Sequence, residues 1–323
     1  MSEVFYYSAL IVVLLIGAFS YFKIADRFNI IDKPNERSSH RVPTIRGGGI
    51  LFLIAGCLWF GVHSFVLPWF MLGLTLLAII SFLDDLKPQP AMLRFVIHTL
   101  TIGLLFYQVS FFDWPIWLVI LAYVISIGAL SAFNFMDGIN GITGVYALIS
   151  LGTFYFIDTY VSPFTDRTFI ITFAVAVVIF LFFNFRKRAR CFAGDIGSVT
   201  IAFVQIFLLM TLIQTTENLL WVLLFLIFGI DSVVTILYRL KRKENIFKPH
   251  RTHLYQYLAN EHRWDHRVVS LLYGVTQVIM NAILIWFIAN DWVVQTLVIA
   301  GFVVITYLVV RYRLTMNFQS GQI

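Results

Sequence analysis

Long apolar runs alternate with short polar connections along almost the whole chain, near 4–22, 49–66, 69–86, 91–109, 114–133, 144–161, 169–185, 197–213, 219–237, 268–289 and 292–310. About 20 apolar residues in a helix span a bilayer's hydrocarbon core. The pattern therefore predicts an all-α integral membrane protein of about eleven transmembrane helices. Pro68, Pro90, Pro115 and Pro163 punctuate turns between them, and only Leu67 and Pro68 separate the second run from the third. Eleven such helices use roughly 220 residues. Too few remain for a separate soluble domain, so residues 1–323 read as one polytopic membrane domain with its site built from loops.

Composition agrees. Of 323 residues, 60% are hydrophobic and 12% charged, against about 25% charged in soluble domains. No Lys or Arg precedes the first run and no small-residue cleavage site follows it, so it reads as an uncleaved span. Cys57 and Cys191 support neither a disulfide framework nor a Cys-based metal site and read as two inert, buried thiols.

Charge orients the spans. Eleven crossings put alternate loops on opposite sides, and one side receives every one of the 23 Lys and Arg except Arg167. Basic residues resist translocation, which makes that side cytoplasmic, the N-terminus periplasmic and the C-terminus cytoplasmic. The net charge of +6 then faces anionic lipid heads and anionic metabolites. No basic and aromatic module for nucleic acid is present.

The acids carry the chemistry. A carboxylate inside a bilayer costs about 2.5–3.5 kcal/mol on insertion scales. Yet Asp84, Asp85, Asp137, Asp195 and Asp231 all lie in or at the ends of apolar runs, at ends facing the same side. Adjacent Asp84 and Asp85 repel unless a cation or a proton intervenes, and Mg²⁺ answers with oxygen ligands while leaving room for phosphate. Gly194-Asp195-Ile196-Gly197-Ser198 lets backbone approach a phosphate and opens a helix whose first amides favour an anion. Asn134 to Gly144, with Asp137 and Asn140 among glycines, reads as a tight loop lining a wet cavity at membrane depth. The segment 238–267 gathers basic residues with His250, Arg251 and His253, a density suited to a diphosphate; zinc is rejected for lack of a third clear ligand.

Together these motifs resemble the polyprenyl-phosphate N-acetylhexosamine-1-phosphate transferases, over most of the chain from Ser38 to about Tyr257. Arg41 to Gly49, with Thr44 and Arg46, resembles that family's first cytoplasmic loop. Asp84 and Asp85 resemble its paired aspartates, one tied to the metal and the other to the lipid phosphate. Asn134, Asp137 and Gly138 resemble its loop near the nucleotide sugar, and Asp195 its metal-binding aspartate. Phe192 sits where the family can place an aromatic on uracil, and Asp231 with the loop to His253 matches its last conserved region.

The resemblance implies a bacterial inner-membrane enzyme that uses Mg²⁺, with Mn²⁺ as the alternative. It would move a sugar phosphate from a UDP-sugar to undecaprenyl phosphate, and a homodimer is suggested. Asp84, Asp85, Asp137 and His253 would be catalytic, and Asp85 and Asp195 would hold the metal. Thr44, Arg46, Asn134, Asn140, Phe192, His250 and Arg251 would bind substrate. Two departures matter. Asn140 replaces an expected acid, and His253-Leu254-Tyr255-Gln256 keeps only the first His of a His-rich finger. The first removes a charge that an acid-base role there would need; the second favours the branch that initiates surface-polysaccharide and O-antigen synthesis over the peptidoglycan enzyme. The rival reading is a transporter with an acidic site at its cytoplasmic side. Transporters, however, place key polar groups near the midplane and often carry repeats, and none is visible.

Overall fold

The computed structural model describes residues 3–34, 39, 42–245 and 250–319. Ser38 and Arg41, at the head of the first motif, lie outside the described residues. The helices are α1 Glu3–Arg27, α2 Ile50–Val62, α3 Pro68–Leu86, α4 Ala91–Gln108, α5 Ile116–Met136, α6 Ile142–Tyr160, α7 Arg167–Asn184, α8 Gly194–Thr216, α9 Leu226–Lys241, α11 His266–Ala289 and α12 Val293–Gln319. Between α9 and α11 a single turn, α10 Leu254–Gln256, continues into a wider turn, Tyr257–Glu261. The only strands among the described residues are β1 Ile31–Asp32 and β2 Thr44–Ile45, paired antiparallel.

Each predicted run is a helix. Ten are long and apolar enough to cross a membrane, counting Leu219–Lys241 as one. The run at 49–66 forms the shorter α2, whose 13 residues rise about 20 Å against a core of about 30 Å. Leu67, left-handed at φ 66°, and Pro68 at the first helical position make the break before α3.

The helices alternate in direction and define two faces. On one, Arg94 at the start of α4 bonds Asp84 at the end of α3, and Asn184 at the end of α7 bonds Gly141 just before α6. On the other, Trp114 bonds Gln214 near the end of α8, and Arg167 at the start of α7 bonds Asp158 near the end of α6. Tyr6 in the first turns of α1 reaches Thr172 on this second face, while Arg311 near the end of α12 reaches Thr252 on the first. Tyr6 of α1 and Arg311 of α12 thus lie toward opposite faces.

Helix α8 is the axle. Its most apolar window is 94% buried, against 11% for α12. It packs on α3 and α5, with α2 and α6 also against it. Its first turn meets the start of α2 without side chains between: a Cβ built on Gly49 would lie 2.1 Å from the Gly197 Cα. Only a glycine pair permits that approach. Cys191 is buried as expected, and burial pushes its thiol up to about 12. Cys57, expected buried, is exposed on the outer side of α2; a thiol is apolar enough to face lipid.

Candidate active site

The first loop and the Gly194 segment are bound together through backbone. Phe192 N–H donates to the Ile45 carbonyl, Gly48 N–H to Phe192, and Gly49 N–H to Ala193, all within 3.0 Å. This fixes Arg46 opposite the start of α8, and Tyr21 of α1 secures it further by donating its hydroxyl to the Arg46 carbonyl at 2.6 Å.

Three acids meet there. Asp85 accepts Arg46 Nε at 2.6 Å, and Arg46 Nη2 donates to Asp195 at 3.2 Å. Asp85 also accepts the backbone N–H of Asp195 at 2.8 Å and of Ile196 at 3.1 Å. The anion that the amides of α8 call for is therefore supplied by the protein itself, as a helix cap donated from α3. Gly194, at φ +72°, makes this turn, and a Cβ there would strike the Asp85 carboxylate at 2.5 Å. Ser198, read as part of the helix opening, lies a turn inside α8 and donates to Asn134 at 3.1 Å.

Asp84 accepts Gln89 N–H at 2.6 Å and Arg94 at 2.9 Å, and its side chain also meets that of Asp195. Two carboxyl groups in contact need a shared proton or a cation. Among the described residues no three His, Cys, Asp or Glu side chains form a metal-ligand group. Mg²⁺, however, commonly takes one or two carboxylates and completes its shell with water and phosphate oxygens. The hard oxygens of Asp85 and Asp195 suit it, with Asp195 the more available because Asp85 already accepts three donors.

Asp137 follows α5 and is half-buried. Thr143 Oγ1 donates to it at 2.7 Å. Desolvation raises its carboxyl to about 6, the Thr143 bond opposes this, and the Asp85 charge adds to it. Asn140 anchors its loop by donating to the Arg186 carbonyl at 2.8 Å, while Asn184 accepts Gly141 N–H and donates to the Cys191 carbonyl.

Beside this acidic centre opens a cavity of about 780 Å³. Thr44, Asn140, Phe192 and Arg251 of the predicted set line it, with Lys187, Arg188 and Arg263. An aromatic, an amide, a hydroxyl and four cations in one cleft suit a nucleotide diphosphate. His250 and His253 are not among the residues lining this cavity, and their rings stack at 5.0 Å. Burial and then His253 lower His250 to about 4, so it is neutral at pH 7 and is no cationic clamp. His253 is buried and bonds Asp231 through Nδ1 at 3.0 Å.

Comparison with known proteins decides the class. The profile of glycosyl transferase family 4 matches residues 67–213, which carry all four central acids, Asp84, Asp85, Asp137 and Asp195. The chain is 24% identical over 294 residues to the probable undecaprenyl-phosphate N-acetylglucosaminyl 1-phosphate transferase of Bacillus subtilis (strain 168), covering 82% of this chain and 81% of that one. It is 24% identical over 261 residues to the undecaprenyl-phosphate alpha-N-acetylglucosaminyl 1-phosphate transferase of Yersinia pestis, covering 72% and 70%. Residues 67–213 of this chain thus carry the match to glycosyl transferase family 4.

The enzyme is a phosphoglycosyltransferase and a multi-pass inner-membrane protein, not the transporter of the rival reading. Several of its site residues escape motif reading. Lys187 and Arg188 look from sequence like topology signals, and only the fold turns them into the cavity. Thr143 is one hydroxyl in an apolar helix start. Tyr255 and Gln256, where the resemblance implies histidines, brace the loop: Tyr255 donates to the Phe135 carbonyl at 2.8 Å, and Gln256 accepts His253 N–H at 3.2 Å.

Proposed function

We propose that this enzyme transfers a sugar-1-phosphate of the N-acetylhexosamine type from a UDP-sugar to undecaprenyl phosphate. The products are undecaprenyl-diphospho-sugar and UMP, and the reaction initiates surface-polysaccharide or O-antigen synthesis from the cytoplasmic face. The observation that carries this reading is the convergence of Asp84, Asp85, Asp195 and Arg46 next to the basic cavity.

In this reading Phe192 and Asn140 receive the nucleoside, and Lys187, Arg188, Arg251 and Arg263 draw the diphosphate inward. A lipid phosphate oxygen attacks the sugar-linked phosphorus, the bond to the UMP oxygen breaks, and the leaving charge stays on UMP. Positioning and charge neutralisation dominate such transfers. Asp195 and Asp85 would hold Mg²⁺, which when bound neutralises charge on the diphosphate. Arg46 keeps the two acids apart and lends its own charge. Asp137, with its pKa near 6, matches the second pKa of a phosphate monoester, also about 6, and in this reading orients the attacking phosphate or relieves it of its proton. Asp84 orders the turn through Gln89 and Arg94.

Purified protein is incubated with radiolabelled UDP-GlcNAc, undecaprenyl phosphate and Mg²⁺, and the label is followed into lipid. Mg²⁺-dependent lipid-linked label is expected. No label from UDP-GlcNAc or a panel of other UDP-sugars would sink the proposal.

A further inference from the structure

Helix α12 packs least of all the helices, yet it sends one charged side chain deep into the molecule. Arg311 is 6% exposed. It donates to Thr235 Oγ1 of α9 at 2.8 Å, to the Tyr307 hydroxyl at 3.0 Å, and to the Thr252 carbonyl at 2.7 Å. Its guanidinium also stands 3.8 Å from Asp231. A buried guanidinium is tolerated only where paired and hydrogen-bonded, and here every partner belongs to one cluster.

The centre of that cluster is Asp231, fully buried in α9. It accepts His253 Nδ1–H at 3.0 Å, Leu254 N–H at 3.3 Å, Thr235 Oγ1 at 3.3 Å, and the Tyr273 hydroxyl from α11. A carboxylate on Nδ1 fixes the tautomer and leaves Nε2 as the ring's free acceptor. Nε2 of His253 is buried and has no hydrogen-bond partner among the described residues. The stacked rings of His250 and Tyr255, at 5.0 and 5.7 Å, hold the imidazole from its sides. A polar atom so enclosed is expected to meet a partner from outside the chain.

We propose that Arg311 is a positioning residue, fixing His253 through Asp231, Thr235 and the Thr252 carbonyl so that the lone pair of Nε2 accepts a hydrogen bond from the P–OH of a singly protonated substrate phosphate. This rests on the transfer reaction proposed above. Arg311 lies beyond residues 67–213, so the last helix takes part in a site whose acids come from the matched segment.

The test is a double-mutant cycle on the full chain, with labelled UDP-GlcNAc and undecaprenyl phosphate. Arg311→Met is expected to lower kcat about 10- to 100-fold with little change in donor KM, as misplaced reacting groups do. Arg311→Met in a His253→Ala background is expected to be no slower than His253→Ala alone. Fully additive losses overturn the proposal. Thr235→Val removes one anchor and keeps both charges; it is expected to show a smaller kcat loss, again absent without His253, and so serves if Arg311→Met does not fold. Independently of turnover, nitrogen-15 NMR of labelled histidines, with the His253 signal identified by its loss in His253→Ala, reads the tautomer. It is expected to be Nδ1-protonated in the wild type and mixed in Arg311→Met. An unchanged tautomer overturns positioning whether or not the wild type turns over. A shifted tautomer with no wild-type product from any UDP-sugar sinks the transfer reading instead.

Discussion

Asp85 caps α8 beside its second residue, Asp195: its carboxylate accepts the Asp195 amide N–H at 2.8 Å while Arg46 bridges the two side chains. Adjacent in space, the two acids hold different jobs. Asp85 answers the first amides of α8 and a guanidinium; the Asp195 carboxyl answers Arg46 and Asp84 and turns toward the centre.

Those jobs separate on mutation. Asp195→Asn is expected to cut transfer about 10²- to 10³-fold, the size seen when one charge-stabilising group is lost, with thermal unfolding in detergent unchanged. Asp85→Ala should lose transfer and also about 0.5–2 kcal/mol of stability, the worth of a helix cap. Equal melting of Asp85→Ala and wild type would show that the cap does not stabilise α8.

Asp137 couples activity and stability with opposite signs. Its carboxyl titrates near 6, because burial outweighs the Thr143 bond. Between the ordinary carboxylate range and pH 6 the native chain keeps a proton that the unfolded chain has lost, so this residue's contribution to stability falls as pH rises through that window. If the ionised form serves the reaction, turnover falls as pH drops through about 6. Asp137→Asn should lower turnover, abolish that acid limb, and raise the melting temperature at pH 7 relative to wild type. A variant that melts lower would overturn the desolvation argument.

The helices were legible because lipid enforces them: unpaired backbone cannot face hydrocarbon, so each apolar run had one available structure. The common side of Asp84, Asp85, Asp137 and Asp195 was legible from the same alternation. Their contacts were not. Arg46 reads in sequence as a phosphate clamp or a topology charge, and its bonds to Asp85 and Asp195 depend on the register of the β2 segment against Cys191. The amides of α8 read as a phosphate cradle, but periodicity cannot say that a carboxylate from α3 reaches them first. Arg311 falls in a run with no motif, so its tie to Thr252 and Asp231 needed the fold.

The Mg²⁺ assignment makes a simple claim. Hard oxygen donors should accept Mg²⁺ or Mn²⁺ and give little activity with softer ions. Chelation with EDTA should stop transfer, and added Mg²⁺ should restore it. Full turnover after exhaustive chelation would remove the ion from the reaction.

The Gly49 and Gly197 backbones touch, and this sets the angle between α2 and α8. Gly197→Ala would place its Cβ 2.8 Å from the Gly49 Cα, where only backbone can give way. A loss of about 1–3 kcal/mol is expected, as for overpacked cores, with a fall in transfer because Arg46 and Asp195 ride on these two helix starts. Wild-type melting and turnover in Gly197→Ala would mean that the helices can part without disturbing the acids.

Gln277 makes a further claim about the site's support. The span Leu219–Lys241 changes from a 3₁₀ turn to α-helix at Leu226, which frees backbone groups inside the bilayer. Gln277 of α11, fully buried, donates to the Leu224 carbonyl at 2.8 Å and accepts Ile227 N–H at 3.3 Å and the Tyr146 hydroxyl at 2.7 Å. Interhelical hydrogen bonds in membranes average about 0.6 kcal/mol and reach about 1.7, so Gln277→Leu, which strands several groups together, should cost about 1–3 kcal/mol. Asp231 lies one turn beyond Ile227 on the same helix, so loosening the break should also loosen the Asp231–His253 bond. Faster hydrogen exchange at Ile227 together with reduced kcat is therefore expected. Unchanged exchange there would mean that the break holds without its side-chain splint.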